Sequence, residues 1–302
     1  MRLCYGATAQ RCYTRAMQRP IGRSGRSVNP IGLGGMPLSI QGRPDERTAL
    51  AVIQAFLDGG GDFIDTAISY CLDNDDLGHN ERLIAKALTS VGRRNVTVAT
   101  KGGLTRPGGR WEVDGTPKWL RRCCEQSARD LGAPISLYYL HAVDPDVPLA
   151  DSVGELVRLR DEGKIAAIGL SNVNARELDA ALRITPVAAV QNRCNLHDRR
   201  DLDTGLVERC RKANVAYVPY SPVGGGHGHR RLAKDPTLVR IAAKHAASPY
   251  AVALAWLLAK GPHVLPIPGA SKVASIVDSL SADRVKLDST DLAALDTLAA
   301  RR

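Results

Sequence analysis

The chain has 302 residues, 44% of them hydrophobic, with 41 Lys and Arg against 31 Asp and Glu and a formal net charge of +10. That balance excludes disorder or coiled coil for the bulk, leaves length for a large core, and offers no run near the roughly 18 apolar residues of a membrane-spanning helix. The positive charge is mostly Arg, is scattered, and lacks interleaved aromatics (Phe 2, Trp 3), so it does not read as a nucleic-acid footprint; a cofactor with several phosphates would account for part of it.

Residues 1–44 contain no Asp or Glu and carry Arg2, Arg11, Arg15, Arg19, Arg23 and Arg26. The composition is like that of a transit peptide but has no apolar stretch of the secretory kind. The expectation is an extension over residues 1–16 followed by a single domain over 17–302.

From residue 30 onward short apolar runs alternate with longer amphipathic segments. The spacing predicts strands at 31–34, 63–65, 96–101, 137–141, 165–171, 187–191, 215–220 and 263–267. Continuous apolar runs suit strands buried on both faces. Helices are predicted at 45–58, opening after Pro44 and stopping at Gly59-Gly60-Gly61; at 80–88; at 117–131, ending at Gly132; at 149–162, ending at Gly163; and at 174–182 and 199–213. These are Pro-start and Gly-stop signals. Two helices, 236–246 and 249–260, precede the last strand, and two more, 272–280 and 289–298, follow it. The Gly224–His229 stretch reads as a flexible loop, and Arg106–Arg110 with Trp111 as a pocket loop without assigned chemistry.

Eight strand-then-helix units without a compositional break predict a parallel, closed (β/α)8 TIM barrel. A doubly wound sheet is the rival, but Gly32-Leu-Gly-Gly-Met-Pro37 lacks the third glycine of a dinucleotide turn and meets a proline. The seven cysteines, Cys4, Cys12, Cys71, Cys123, Cys124, Cys194 and Cys210, are odd in number and without metal-ligand spacing. They read as free thiols of a reducing, cytoplasmic protein, and no metal site is expected.

Barrels carry their chemistry at the C-terminal ends of the strands. Here the second to fourth runs end in Asp65, Lys101 and His141. The next three end in Ser171-Asn172, Gln191-Asn192 and Tyr220-Ser221, and the eighth in Pro268-Gly-Ala-Ser-Lys272. Read singly, Asp65 caps a turn, Lys101 is a solvated charge, His141 is a wall residue and Gln191 serves loop structure. Jointly they place polar groups on one rim, as an active site requires.

Phe63-Ile-Asp-Thr-Ala-Ile-Ser-Tyr70 with His79-Asn-Glu-Arg-Leu-Ile84 resembles the signature of the aldo-keto reductases. So do Ala99-Thr-Lys-Gly102, Gly169-Leu-Ser-Asn172, Val190-Gln-Asn192, Pro219-Tyr-Ser-Pro222 and Ile267-Pro-Gly-Ala-Ser-Lys272, in order from about residue 20 to 298. The resemblance implies an N-terminal hairpin and extra C-terminal helices on the barrel. It also implies a tetrad of Asp65, Tyr70, Lys101 and His141 that reduces aldehydes or ketones with NADP(H), a small-molecule carbonyl being the substrate. Tyr70 would donate the proton, its pKa lowered by the Lys101 ammonium, which Asp65 holds; His141 would orient the carbonyl. Ser171, Asn172 and Gln191 would bind the nicotinamide carboxamide, Tyr220 would stack on the ring, and Ser221 would approach the pyrophosphate. Gly269, Ser271 and Lys272 would hold the adenosine 2′-phosphate.

The chain departs from the family pattern at Cys71, where Gly is usual, and in the longer loop that follows it. Ala270 replaces a frequent Thr, Ser279 a frequent Asn, and Ile276 stands near the position of a second cofactor Arg. Two other functions fit parts of the pattern. One is an NADPH-binding regulatory subunit with vestigial chemistry; the other is a Schiff-base lyase using Lys101, which leaves Gln191, Tyr220 and Ser271 unexplained.

Overall fold

A computed structural model describes residues 18–92 and 95–298; the expected extension over 1–16 lies outside the described residues. The described chain opens with an antiparallel hairpin, β1 (Arg19–Pro20) and β2 (Ser27–Val28). Ile21, in its turn, is wholly buried among Phe63, Leu137, Ala189 and Leu265. Gly22 lies where a Cβ would stand 2.2 Å from the Ala188 carbonyl oxygen, so the hairpin seals the end of the barrel opposite the predicted site. Arg19 fixes it there by donating to the carbonyls of Leu258, Gly261 and Val264.

Seven parallel strands then follow in neighbouring order: β3 (Leu33–Gly34), β4 (Phe63–Asp65), β5 (Thr97–Gly102), β8 (Leu137–Leu140), β9 (Ile168–Ser171), β10 (Ala189–Gln191) and β11 (Ala216–Tyr217). A small hairpin, β6 (Leu104–Thr105) with β7 (Glu112–Val113), is inserted after β5. The predicted eighth strand closes the ring without a full ladder. Leu265 and Ile267 donate to Tyr217 and Pro219 on one side, while the carbonyls of Pro266 and Pro268 accept from Gly32 and Gly34 on the other. The two prolines occupy the alternate positions whose N–H would face β3, so that seam keeps only half its hydrogen bonds. Parallel bridges Tyr217–Val264, Tyr220–Ile267 and Gly34–Gly269 complete the closure.

Helices surround this ring: α1 (Glu46–Asp58), α2 (His79–Val91), α3 (Pro117–Leu131), α4 (Leu149–Asp161) and α5 (Ala175–Leu182). Local chemistry sets their ends. Asp45 and Thr116 cap α1 and α3 by accepting from Thr48 and Trp119, Asn174 and Glu177 form a capping box on α5, and left-handed Gly132 stops α3.

The predicted helix 199–213 is two helices, α6 (Arg200–Asp203) and α7 (Leu206–Lys212), because Gly205 turns left-handed at φ 78°. The Gly224–His229 stretch is not a loop: after left-handed Gly224 it runs as the first part of α8 (Gly225–Leu232). Its far end is anchored by the fully buried Leu232 and by His229 against the Tyr250 ring, 6.5 Å between centroids, which offsets the helix cost of its glycines. Before the eighth strand come α9 (Pro236–Lys244) and α10 (Pro249–Leu258), and after it α11 (Val273–Leu280) and α12 (Ser289–Leu298). Residues Ala251 to Leu258 of α10 are all buried, since neighbouring helices cover its outer side.

Candidate active site

The strand ends meet as the sequence predicts. Asp65 closes β4, and the buried segment after it returns Tyr70 to the rim. That segment is held from α2 and the turn after β3. Thr66 donates to the Asn80 side-chain oxygen at 2.6 Å, and Asn80 donates to the Gly35 carbonyl and the Ser39 hydroxyl at 2.9 and 2.7 Å. A Cβ on Gly35 would stand 2.4 Å from Asn80 Oδ1 and 2.9 Å from the Asp65 carbonyl oxygen, so glycine there lets the turn after β3 approach the end of β4.

Lys101, wholly buried on β5, spends its three N–H groups on three acceptors: Asp65 Oδ2 at 2.7 Å, the Thr66 carbonyl at 2.8 Å and the Tyr70 phenol oxygen at 2.9 Å. Gln191 donates to the other Asp65 oxygen at 2.7 Å. The His141 ring stands edge-on to Tyr70, 5.8 Å between centroids, with the Ser69 hydroxyl 3.4 Å from its Nδ1.

Burial dominates the electrostatics. It raises the pKa of Asp65 against the pull of Lys101, and lowers that of Lys101 against the pull of Asp65. It holds His141 well below the usual imidazole value, helped by the Lys101 charge, so this ring is neutral. Tyr70 departs from the sequence expectation: burial first, then the Asp65 carboxylate, push its phenol well above 10 rather than below it. The phenol therefore keeps its proton at neutral pH, and the Lys101 ammonium lies within hydrogen-bond distance of the oxygen on which a phenolate charge would sit.

The predicted nicotinamide residues form one hydrogen-bonded set. Ser171 donates to the Gln191 carbonyl at 2.8 Å, Asn172 donates to the His141 carbonyl at 2.9 Å, and the Tyr220 hydroxyl donates to Asn172 Oδ1 at 2.9 Å. Asn172 and Ser221 both hold left-handed backbone, at φ 56° and 48°; such strain in non-glycine residues concentrates at functional sites. Ser221 opens onto a cavity of about 500 Å³ lined also by Arg193, Asn195, Arg199, Arg200, Arg231 and the first turn of α8. Arg193 is paired with Asp198 and Arg199 with Asp203, whereas Arg200 and Arg231 make no ion pair among the described residues. Free cations beside a glycine-rich helix start suit an anionic group such as a pyrophosphate.

Gly269, Ser271 and Lys272 lie elsewhere, exposed between the closing seam and α11, and do not line this cavity. Ile276 is wholly buried against Val52 and Phe56, so no cofactor cation stands at its position.

Sequence reasoning missed the arginines, although Arg193, Arg199 and Arg200 cluster just after Gln191-Asn192. It also left Trp111 without a role. The indole lies 6.3 Å from both the Tyr70 and the His141 ring, edge-on, and so walls the space above the tetrad. Among the described residues, no group of three or more His, Cys, Asp or Glu could hold a metal, and no helix is long and apolar enough to cross a membrane.

Comparison with known proteins agrees with this geometry. The model of the Aldo/keto reductase family matches residues 30–300. A probable aldo-keto reductase of Glycine max is 34% identical over 311 residues, covering 92% of this chain and 88% of that protein. Among solved structures, a thermostable aldo-keto reductase in complex with the inhibitor epalrestat superposes with a TM-score of 0.79 at 29% identity, over 93% of this chain and 99% of its own. An aldo-keto reductase from Klebsiella pneumoniae solved with NADPH gives 0.79 at 25% identity, over 94% and 96%.

Proposed function

Because the chain belongs to the aldo/keto reductase family of oxidoreductases, we propose that it reduces small aldehydes and ketones to alcohols with NADPH, with Tyr70 as proton donor. The observation that carries this reading is the buried relay in which Lys101 bridges Asp65 and Tyr70 at 2.7 and 2.9 Å. When bound, NADPH supplies the hydride.

As the carbonyl carbon is reduced, its oxygen gains negative charge and takes the Tyr70 proton. The phenolate left behind faces the Lys101 ammonium, and solvent returns the proton. Asp65, itself held by Gln191, keeps Lys101 charged and aimed. Neutral His141 offers a hydrogen bond that orients the carbonyl oxygen. Trp111 covers the tetrad and limits water.

For the cofactor, Ser171, Asn172, Gln191 and Tyr220 provide polar tips and a ring beside the tetrad, fitted to a nicotinamide carboxamide. Ser221 with Arg200 and Arg231 fits a pyrophosphate, and Gly269, Ser271 and Lys272 are left for the 2′-phosphate. The Klebsiella pneumoniae relatives solved with NADP and NADPH support the choice of cofactor. Five described cysteines are unpaired and buried, which suits a reducing compartment such as the cytoplasm. The lyase alternative fares worse, since a Schiff-base lysine needs a free lone pair and all three Lys101 N–H groups are engaged.

A fluorescence titration with NADPH and NADH, followed by turnover on an aldehyde panel, tests the proposal. Tighter NADPH binding with turnover is expected. A folded protein that binds neither nucleotide contradicts it.

A further inference from the structure

The reductase chemistry makes no use of Arg106, yet Arg106 is the most unusual cation near the tetrad. It follows the strand β6, is 1% exposed, and its buried Nε has no hydrogen-bond partner. One terminal nitrogen donates to the Gln41 side-chain oxygen at 2.7 Å. Its guanidinium lies 3.7 Å from the ring centroid of Trp111, the same indole that stands against Tyr70 and His141.

No Asp or Glu pairs with Arg106 among the described residues, although Glu112 is close in sequence and the turn bearing Asp73 and Asp76 is close in space, the Arg106 amide donating to the Asn74 side-chain oxygen at 2.7 Å. Asp76 is turned to Arg43 at 2.6 Å, Glu112 to Arg110 at 3.2 Å, and Asp73 accepts from the Asp75 amide at 3.0 Å. The indole face gives partial compensation, but it carries no formal charge. A desolvated cation without a counter-ion is costly, and its field reaches far through a low-dielectric wall. Here one indole ring separates it from the space above the tetrad. Trp111 is 45% exposed and Arg106 1%, so the indole forms the solvent-facing part of the wall and the arginine the part behind it.

We infer that Arg106 is a specificity-determining residue, which makes this site select carbonyl substrates that carry a carboxylate or similar anion remote from the reacting carbon. This rests on the reductase reading above. The substrate's anion supplies the counter-charge that the protein withholds, against the Arg106–Trp111 edge, while the carbonyl points to Tyr70. Asp65 is neutralised by Lys101 and so does not oppose it.

The test compares para-formylbenzoate with para-formylbenzamide, a neutral molecule of nearly the same shape, using NADPH and the full chain. The wild-type protein is expected to favour the benzoate in kcat/KM by roughly tenfold or more, as expected of a unit charge near a poorly screened cation, with the difference in KM rather than kcat. Arg106→Met is expected to bring the ratio near one, and Arg106→Lys, which keeps charge and stem, to restore most of it. The wild-type ratio is a readout independent of how well either variant folds. Equal kcat/KM for the two aldehydes in the wild type, or a ratio untouched by Arg106→Met, overturns the inference and leaves the reductase reading standing. Failure to reduce either aldehyde overturns the reductase reading and the inference with it.

Discussion

Lys101 Nζ donates to the Tyr70 phenol oxygen at 2.9 Å inside a site where Lys101 is wholly buried and Tyr70 only 6% exposed. The phenol is pushed well above 10 by that burial, so the ammonium does not ionise Tyr70 in the resting enzyme. In the proposed reaction its contribution would fall later, on the phenolate that forms when the proton leaves. Catalysis is served by what binds the changed state rather than the resting one.

The Lys101–Asp65 pair sets a first prediction. Lys101→Met leaves the Asp65 carboxylate buried with only Gln191 as donor. Loss of one partner of a buried pair costs about 3–5 kcal/mol, so the urea midpoint is expected to fall sharply at neutral pH. Asp65→Asn combined with Lys101→Met is expected to cost less than the sum of the two single changes, because neither charge is then left alone. Additive losses in the denaturation curves would show that the pair does not act as a unit.

Arg200 and Arg231 give a second. Each faces the cavity beyond Ser221 without an ion pair. Removing one charge-assisted contact to a phosphate costs about 1.5–3 kcal/mol, so Arg200→Ala and Arg231→Ala are each expected to weaken NADPH binding about tenfold or more, with a shallower salt dependence. An unchanged Kd for both, read by fluorescence titration, would place the pyrophosphate elsewhere.

Glu81 gives a third, in pH. It is fully buried behind Thr100, which donates to it at 2.5 Å, and burial pushes its pKa up from 4.5 to about 7. The folded state thus binds a proton that the unfolded state has lost between those two values. Stability therefore falls as pH rises from about 4.5 to 7, by up to about 3 kcal/mol from this group, and is flat above. Glu81→Gln removes the titration while keeping an oxygen for Thr100, and its melting temperature is expected to lose that slope. A slope that survives the substitution would assign it to another group.

The barrel was legible because it follows short-range rules. Helix α3 is written in Thr116, Pro117 and Gly132, and the meeting of Asp65, Lys101 and His141 in the ends of apolar runs, whereas Tyr70, which ends no such run, entered only through the family resemblance. The eighth strand was legible as a run but not as a half-bonded seam, since that depends on which face Pro266 and Pro268 turn to β3. Gly205 was passed over because a single glycine inside an apolar period is often tolerated in a helix. The four glycines of 224–228 suggested a loop because the burial of Leu232 that anchors α8 is a tertiary fact. Trp111 above Tyr70 and the arginine cavity, gathered from segments near 193–200 and 221–231, depend on loop paths that no local pattern encodes. The direction of the Tyr70 shift was missed for a different reason: the nearby charge was visible in the sequence, whereas the depth of burial was not.

The proposed role of Tyr70 as proton donor is tested most directly by the turnover of Tyr70→Phe with NADPH and a reactive aldehyde, beside a nucleotide titration of the same preparation. The expected result is a fall in kcat of roughly a hundredfold or more, with NADPH affinity within about twofold of wild type, since a change of that size is well under the 1.4 kcal/mol of a tenfold step. Full turnover by Tyr70→Phe would contradict the account and move the proton donor to another group, with His141 the nearest candidate.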